Sequence, residues 1–230
     1  MAGPAELRVL LVEDSDADQI LTAAFLKPLL CLIDIARNGL VGLERFRLRS
    51  YDLVLMDFEM PVMNGLEAVR GIRRIEVETG ALPTPVVGLT AHTISAVAKK
   101  AHEAGFTELL SKPIRREMLL ETVARYGGQY REEQAASSPA GIGDDMEELI
   151  AAYLEKRRRD VVACQTALDA KDFVAIRRLG HNMKGTGTGY GFPRLTELGG
   201  EIEAAALRSD AVALRDQLKR FADCVDRGSV

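Results

Sequence analysis

Five short apolar runs, each closing on a polar residue and each followed by a longer amphipathic stretch, organise the first 126 residues of this chain. The runs are Leu7–Val12, Leu30–Ala36, Leu53–Met56, Val86–Leu89 and Thr107–Leu110. Between and after them, apolar residues at spacings of three and four predict helices over about Asp16–Lys27, Gly39–Arg49, from near Asn64–Gly65, Ser95–Ala104 and Arg115–Tyr126. Strands joined through helices of that length need right-handed crossovers, which make the sheet parallel and cover both its faces. The expectation is a doubly wound α/β domain.

After Asp144 the strand pattern disappears. Met146, Leu149, Ile150, Tyr153 and Leu154 recur at helical spacing, and further helical patterns cover about Asp172–Thr186, Pro193–Arg208 and Ala211–Arg227. Amphipathic helices in so short a stretch predict an antiparallel four-helix bundle. The segment between the halves is rich in Gly, Ser, Ala and Pro without apolar periodicity, as a linker would be. The expected organisation is residues 1–127, a linker over 128–143, and residues 144–230.

Composition narrows the function. A net charge of −4 opposes a nucleic-acid surface, which needs clustered positive charge. The longest stretch without Asp, Glu, Lys or Arg, Thr79–Ala98, carries two prolines, a histidine and several threonines, so no membrane insertion is expected. Glu6 and Arg8 interrupt the start too early for a signal peptide. Cys31, Cys164 and Cys224 stand far apart, an arrangement of buried thiols in a reducing compartment rather than of disulfides. A cytoplasmic protein is expected.

Ligands of open α/β sheets bind beyond the carboxyl ends of the strands. Glu13, Asp14, Asp57, Thr90 and Lys112 all fall at such ends. Converging carboxylates oppose one another's ionisation, and a hard divalent cation such as Mg²⁺ resolves the conflict. The lysine then supplies a positive charge for a phosphate oxygen and the threonine a hydroxyl donor. A carboxylate so placed can act as a nucleophile toward phosphorus.

These residues carry a resemblance. "VLLVEDS", "DLVLMDFEMPVMNGLEAVR", "VVGLTAHT" and "LLSKPI" resemble the receiver domain of two-component response regulators over residues 7–126. The resemblance implies a flavodoxin-like sheet in the order 2-1-3-4-5. It also implies Asp57 as phosphoacceptor, with Mg²⁺ on Asp14, Asp57 and the backbone carbonyl of Glu59. Glu13 would act through water, and Thr90 and Lys112 would contact the phosphoryl group. Lys112–Pro113 matches the family's cis-peptide position. Glu59 and His92 fall where the family tunes hydrolysis of the aspartyl phosphate. One departure stands out: Leu109 replaces the aromatic that the family uses as a switch beside the threonine.

In the second half, His181 lies in "RRLGHNMKGTGTGYGFPRL". Phosphotransfer asks for a solvent-facing imidazole, a nearby cation and little steric bulk. Lys184 shares the helix face of His181, and Gly180, Gly185, Gly187 and Gly189 remove side chains around it. Close approach of a partner's acyl phosphate would explain such glycines, and helix packing is the expected reason for Gly189 and Gly191. The segment resembles the histidine phosphotransfer (HPt) domain over about residues 144–227. This implies His181 as phosphohistidine, Lys184 assisting and Gly185 permitting contact. No nucleotide-binding box accompanies it, so the half should exchange phosphoryl groups without making them from ATP, with self-dephosphorylation the most that enzyme activity would amount to.

The expected function is therefore a Mg²⁺-dependent phosphorelay. A sensor histidine kinase would stand upstream, and receiver proteins would stand downstream or upstream. The competing expectation is an interaction switch in which phosphorylation of Asp57 controls binding and His181 is chemically idle. Lys156–Arg159 is expected to be a solvated helix face, and His102 a surface residue.

Overall fold

Residues 7–126 and 142–228 are described by the computed structural model, and their elements follow the periodicity closely. Strands β1 (Arg8–Val12), β2 (Leu32–Ala36), β3 (Leu53–Asp57), β4 (Val86–Thr90) and β5 (Glu108–Ser111) form one parallel sheet in the order β2-β1-β3-β4-β5. Helices α1 (Asp16–Leu26), α2 (Gly39–Leu48), α3 (Gly65–Thr79), α4 (Ile94–Ala104) and α5 (Arg116–Tyr126) alternate with them. The second strand starts later than the apolar run does, because Lys27–Leu29 forms a 3₁₀ turn that ends on Leu30 in the left-handed conformation.

Burial explains the strand sequences. The central strands β3 and β4 are buried at every position, so they read as unbroken apolar runs, whereas the edge strands β2 and β5 are mixed. Register then lines up the strand ends: Val12 pairs with Met56, Asp57 with Leu89, and Thr90 with Ser111.

Local chemistry fixes where the helices begin. Ser15 caps α1 by accepting from the Asp18 N–H. Asn64 and Glu67 cap α3 reciprocally, each side chain bonding the other's backbone N–H. Gly65 is required beside that cap, since a Cβ there would overlap the carbonyl oxygen of Asp57. Its own N–H donates to Phe58 O at 3.0 Å.

The chain divides into two compact units, residues 1–139 and 140–230. In the second, α6 (Ile142–Asp169), α7 (Phe173–Thr186), a 3₁₀ turn at Gly187–Tyr190, α8 (Pro193–Leu207) and α9 (Ala211–Arg227) follow one another. Asp172 and Asp210 cap α7 and α9 through their side chains. Most of the expected linker, residues 128–141, lies outside the described residues. Its last positions, 142–143, already belong to α6.

The packing corrects several expectations. Arg157, read as part of a solvated face, is fully buried. It lies 5.1 Å over the Tyr153 ring, donates to Asn182 O at 3.3 Å and pairs with Asp160 at 2.8 Å. Its aliphatic stem and planar head fill the bundle beside a ring stack of Tyr153 and Tyr190 at 4.3 Å. Gly180 and Gly187 serve their own fold: a Cβ on Gly180 would meet the Glu203 backbone at 2.7 Å, and one on Gly187 would meet Phe192 O at 2.6 Å. Gly191 is exposed and has open space around it, so its requirement is the positive φ of 89°, not packing. The thiols are free, but only Cys164 is buried; Cys31 and Cys224 are half-buried. Desolvation pushes Cys164 up to about 12, an unreactive thiol.

Candidate functional site

The carboxyl edge of the sheet gathers the acids, the hydroxyl and the lysine that the strand ends carry. Glu13, Asp14 and Asp57 each bring a carboxylate oxygen within 4.8 Å of the others. Asp57 is 2% exposed, and its Oδ1 accepts from the Phe58 N–H at 2.7 Å. Lys112 Nζ, itself almost fully buried, lies 3.2 Å from Asp57 Oδ2 and 2.6 Å from Glu13 Oε2. It also reaches Asp18 Oδ2 at 3.1 Å. The peptide between Lys112 and Pro113 is cis.

Electrostatics reflect this crowding. Burial is the largest influence on Glu13 and, with the charges of Asp57 and Asp18, pushes its carboxyl well above the ordinary range against the pull of Lys112. For Lys112, burial works against the charge, but Asp18, Asp57 and Glu13 outweigh it and hold the ammonium well above its usual value. A charged lysine facing an excess of carboxylates leaves a net negative pocket. Its donors are all oxygens, the set that Mg²⁺ prefers, so these residues fit that ion.

Thr90 ends β4 fully buried, and its Oγ1 accepts from the His92 N–H at 3.1 Å. The Glu59 carboxylate is directed to His92, with Oε1 2.7 Å from Nε2. The two residues expected to tune hydrolysis are thus partners. Leu109 is partly buried and packs, with the stacked Phe58 and Phe106 rings, into space that Gly88 leaves open. His102 is exposed, as expected.

His181 and Lys184 sit one turn apart near the end of α7. Glu203, which the sequence reading missed, joins them: Oε1 is 3.1 Å from His181 Nδ1 and Oε2 is 3.2 Å from Lys184 Nζ. Burial pushes the Glu203 carboxyl up, but the hydrogen bond and charge of His181, with Lys184, prevail and bring it to about 2. Within the bundle α7 and α8 cross closely, Gly180 and Gly199 each abutting the other helix's backbone, which brings Glu203 to His181 Nδ1. Gly185 is buried on the same helix.

Two signals in the sequence point to the missed residues. Glu203 lies one turn beyond Gly199, on the face through which α8 meets α7. Asp18 lies one turn after Asp14, in the first turn of α1.

The family model for the response regulator receiver domain matches residues 9–124, about half of the chain. The chain belongs to the response-regulator receiver family. A second match, to the Hpt domain, covers residues 148–227, so receiver and Hpt domains stand in one chain. The sensor histidine kinase GacS of Pseudomonas protegens is 27% identical over 237 residues, which span 94% of this chain and 25% of that protein. The sensor protein EvgS of Escherichia coli is 25% identical over 217 residues, 90% of this chain and 18% of that one. The chain therefore spans about a quarter or less of these curated relatives. A chain from the co-crystal structure of the Saccharomyces cerevisiae histidine phosphotransfer signaling protein Ypd1 and the receiver domain of its downstream response regulator Ssk1 superposes with a TM-score of 0.51 and 28% identity, over 53% of this chain and 89% of its own length. Among the described residues, no helix is long and apolar enough to cross a membrane.

Proposed function

We propose that this chain is a phosphorelay intermediate that accepts a phosphoryl group on Asp57 and carries one on His181. The observation that bears most weight is the convergence of Glu13, Asp14 and Asp57 within 4.8 Å, with Lys112 Nζ 3.2 Å from Asp57 Oδ2. Glu13, Asp14 and Asp57 would hold Mg²⁺, with the Glu59 carbonyl as a further ligand. The ion would supply charge neutralisation of the transferring phosphoryl group.

An Asp57 oxygen attacks phosphorus in a donor phosphohistidine. The O–P bond forms as the P–N bond breaks, and the departing imidazole takes up a proton. Lys112 and the Thr90 hydroxyl bind the outer phosphoryl oxygens. At the second site Glu203 accepts the Nδ1–H of His181, which fixes the tautomer with the lone pair on Nε2. Nε2 is then the nucleophile, and Lys184 offers positive charge to the incoming group. Gly185 leaves room for that approach. A sensor histidine kinase is the donor this chemistry suits, and a receiver domain is the partner for His181.

The test uses potassium phosphoramidate and Mg²⁺ on the full chain. Label is expected in two chemically distinct forms, an alkali-labile acyl phosphate and an acid-labile phosphohistidine. Asp57→Asn should lose the first and His181→Gln the second. If His181→Gln loses nothing, His181 is idle and the chain is an interaction switch.

A further inference from the structure

Asp18 stands outside the convergent acid group yet holds the same lysine. Lys112 Nζ meets buried carboxylates at Glu13 (2.6 Å), Asp18 (3.1 Å) and Asp57 (3.2 Å). Glu13 and Asp57 belong with Asp14 to the group whose oxygens converge. Asp18 does not, and its place is fixed independently. It lies in the first turn of α1, its N–H donates to Ser15 Oγ at 3.4 Å, and it is 5% exposed. A helix N-terminus favours a negative charge there.

A divalent cation bound by Glu13, Asp14 and Asp57 competes with the ammonium for two of its partners. A buried ammonium stripped of counter-ions is strongly disfavoured. Asp18 is the carboxylate left to it.

We propose that Asp18 is a positioning residue that retains Lys112 when the cation pocket fills and then competes with a phosphoryl group on Asp57 for that ammonium. This rests on the reading of Asp57 as phosphoacceptor. The consequence is a longer-lived acyl phosphate. In hydrolysis the water oxygen bonds to phosphorus as the Asp57 O–P bond breaks, releasing inorganic phosphate, restoring the carboxylate and giving a proton to solvent. The transition state of phosphoryl transfer spreads charge over the three outer oxygens, where positive charge stabilises it. An ammonium bound to those oxygens therefore speeds hydrolysis, and Asp18 draws it away.

The experiment uses the full chain carrying His181→Gln, so that the phosphoryl group cannot leave to that imidazole. Asp57 is phosphorylated with acetyl phosphate and Mg²⁺, the donor is removed, and the acyl phosphate is followed in time. Asp18→Asn is expected to shorten its half-life about fivefold, and Asp18→Glu to stay within about twofold of the parent. In a Lys112→Met background the Asn substitution should change the half-life by less than about twofold, because the group it acts through is gone.

An unchanged or lengthened half-life in Asp18→Asn, or equal shortening in both backgrounds, overturns the proposal. Calorimetric titration with Mg²⁺ alone gives a second reading. Asp18→Asn should bind the ion about threefold more weakly, since the ammonium then falls back on Glu13 and Asp57. Equal affinity also overturns the role of Asp18. Absence of acyl phosphate in every variant overturns the assignment of Asp57 instead, and the calorimetry still reads Asp18.

Discussion

Glu203 Oε1 lies 3.1 Å from His181 Nδ1 while its other oxygen lies 3.2 Å from Lys184 Nζ. One carboxylate thus orients the imidazole and holds the lysine beside it. Glu203→Ala is expected to slow phosphorylation of His181 by phosphoramidate about tenfold, the equivalent of one hydrogen bond to a charged group. Quantifying phosphohistidine against time checks this, and an unchanged rate would remove Glu203 from the site.

The same carboxylate makes the helical unit sensitive to acid. Its folded value of about 2 lies below the 4.5 of an ordinary glutamate. A depressed carboxylate contributes stability that is present above its unfolded value and lost as pH falls through its folded one. The advantage of wild type over Glu203→Gln in melting temperature should therefore shrink as pH drops from about 5 toward 2. A constant difference across that range would contradict the assigned shift.

Arg157 supplies a stability prediction. Replacing it with methionine keeps apolar bulk but leaves Asp160, 14% exposed in its side chain, without its buried partner. The expected loss is about 3 kcal/mol. Hydrogen exchange localises it: α6 and α7 amides should exchange faster, while those of β3 and β4 stay as in wild type.

Gly65→Ala should harm the receiver site directly, because the new methyl overlaps the carbonyl oxygen of Asp57. A cost of about 2 kcal/mol is expected from such overpacking. Acetyl phosphate labelling of Asp57 should fall with it, and wild-type labelling in this variant would show that the helix start can shift freely.

Much of this architecture was legible because periodicity and burial agree. Leu53–Asp57 and Val86–Thr90 are buried on both faces, so their sequences could only be central parallel strands. Glu13, Asp14, Asp57, Thr90 and Lys112 were legible as a set because strand ends are where side chains of distant sequence converge. The residues that escaped depend on contacts between helices, which spacing alone does not encode. Glu203 becomes meaningful only once α8 crosses α7 at Gly180 and Gly199. Arg157 looked solvated because its neighbours are charged, yet the bundle places it over Tyr153. Gly180 and Gly187 were assigned to a partner's approach when the fold itself needs them.

The central claim is that Asp57 is the residue that takes the phosphoryl group, and borohydride trapping tests it most directly. The full chain is incubated with acetyl phosphate and Mg²⁺, reduced with sodium borohydride and mapped by peptide mass spectrometry. An acyl phosphate on Asp57 is reduced to homoserine, so homoserine at position 57 is the predicted result. Homoserine at Asp14 or Asp18, or 5-hydroxynorvaline at Glu13, with Asp57 intact, or no reduced residue at all, would contradict it.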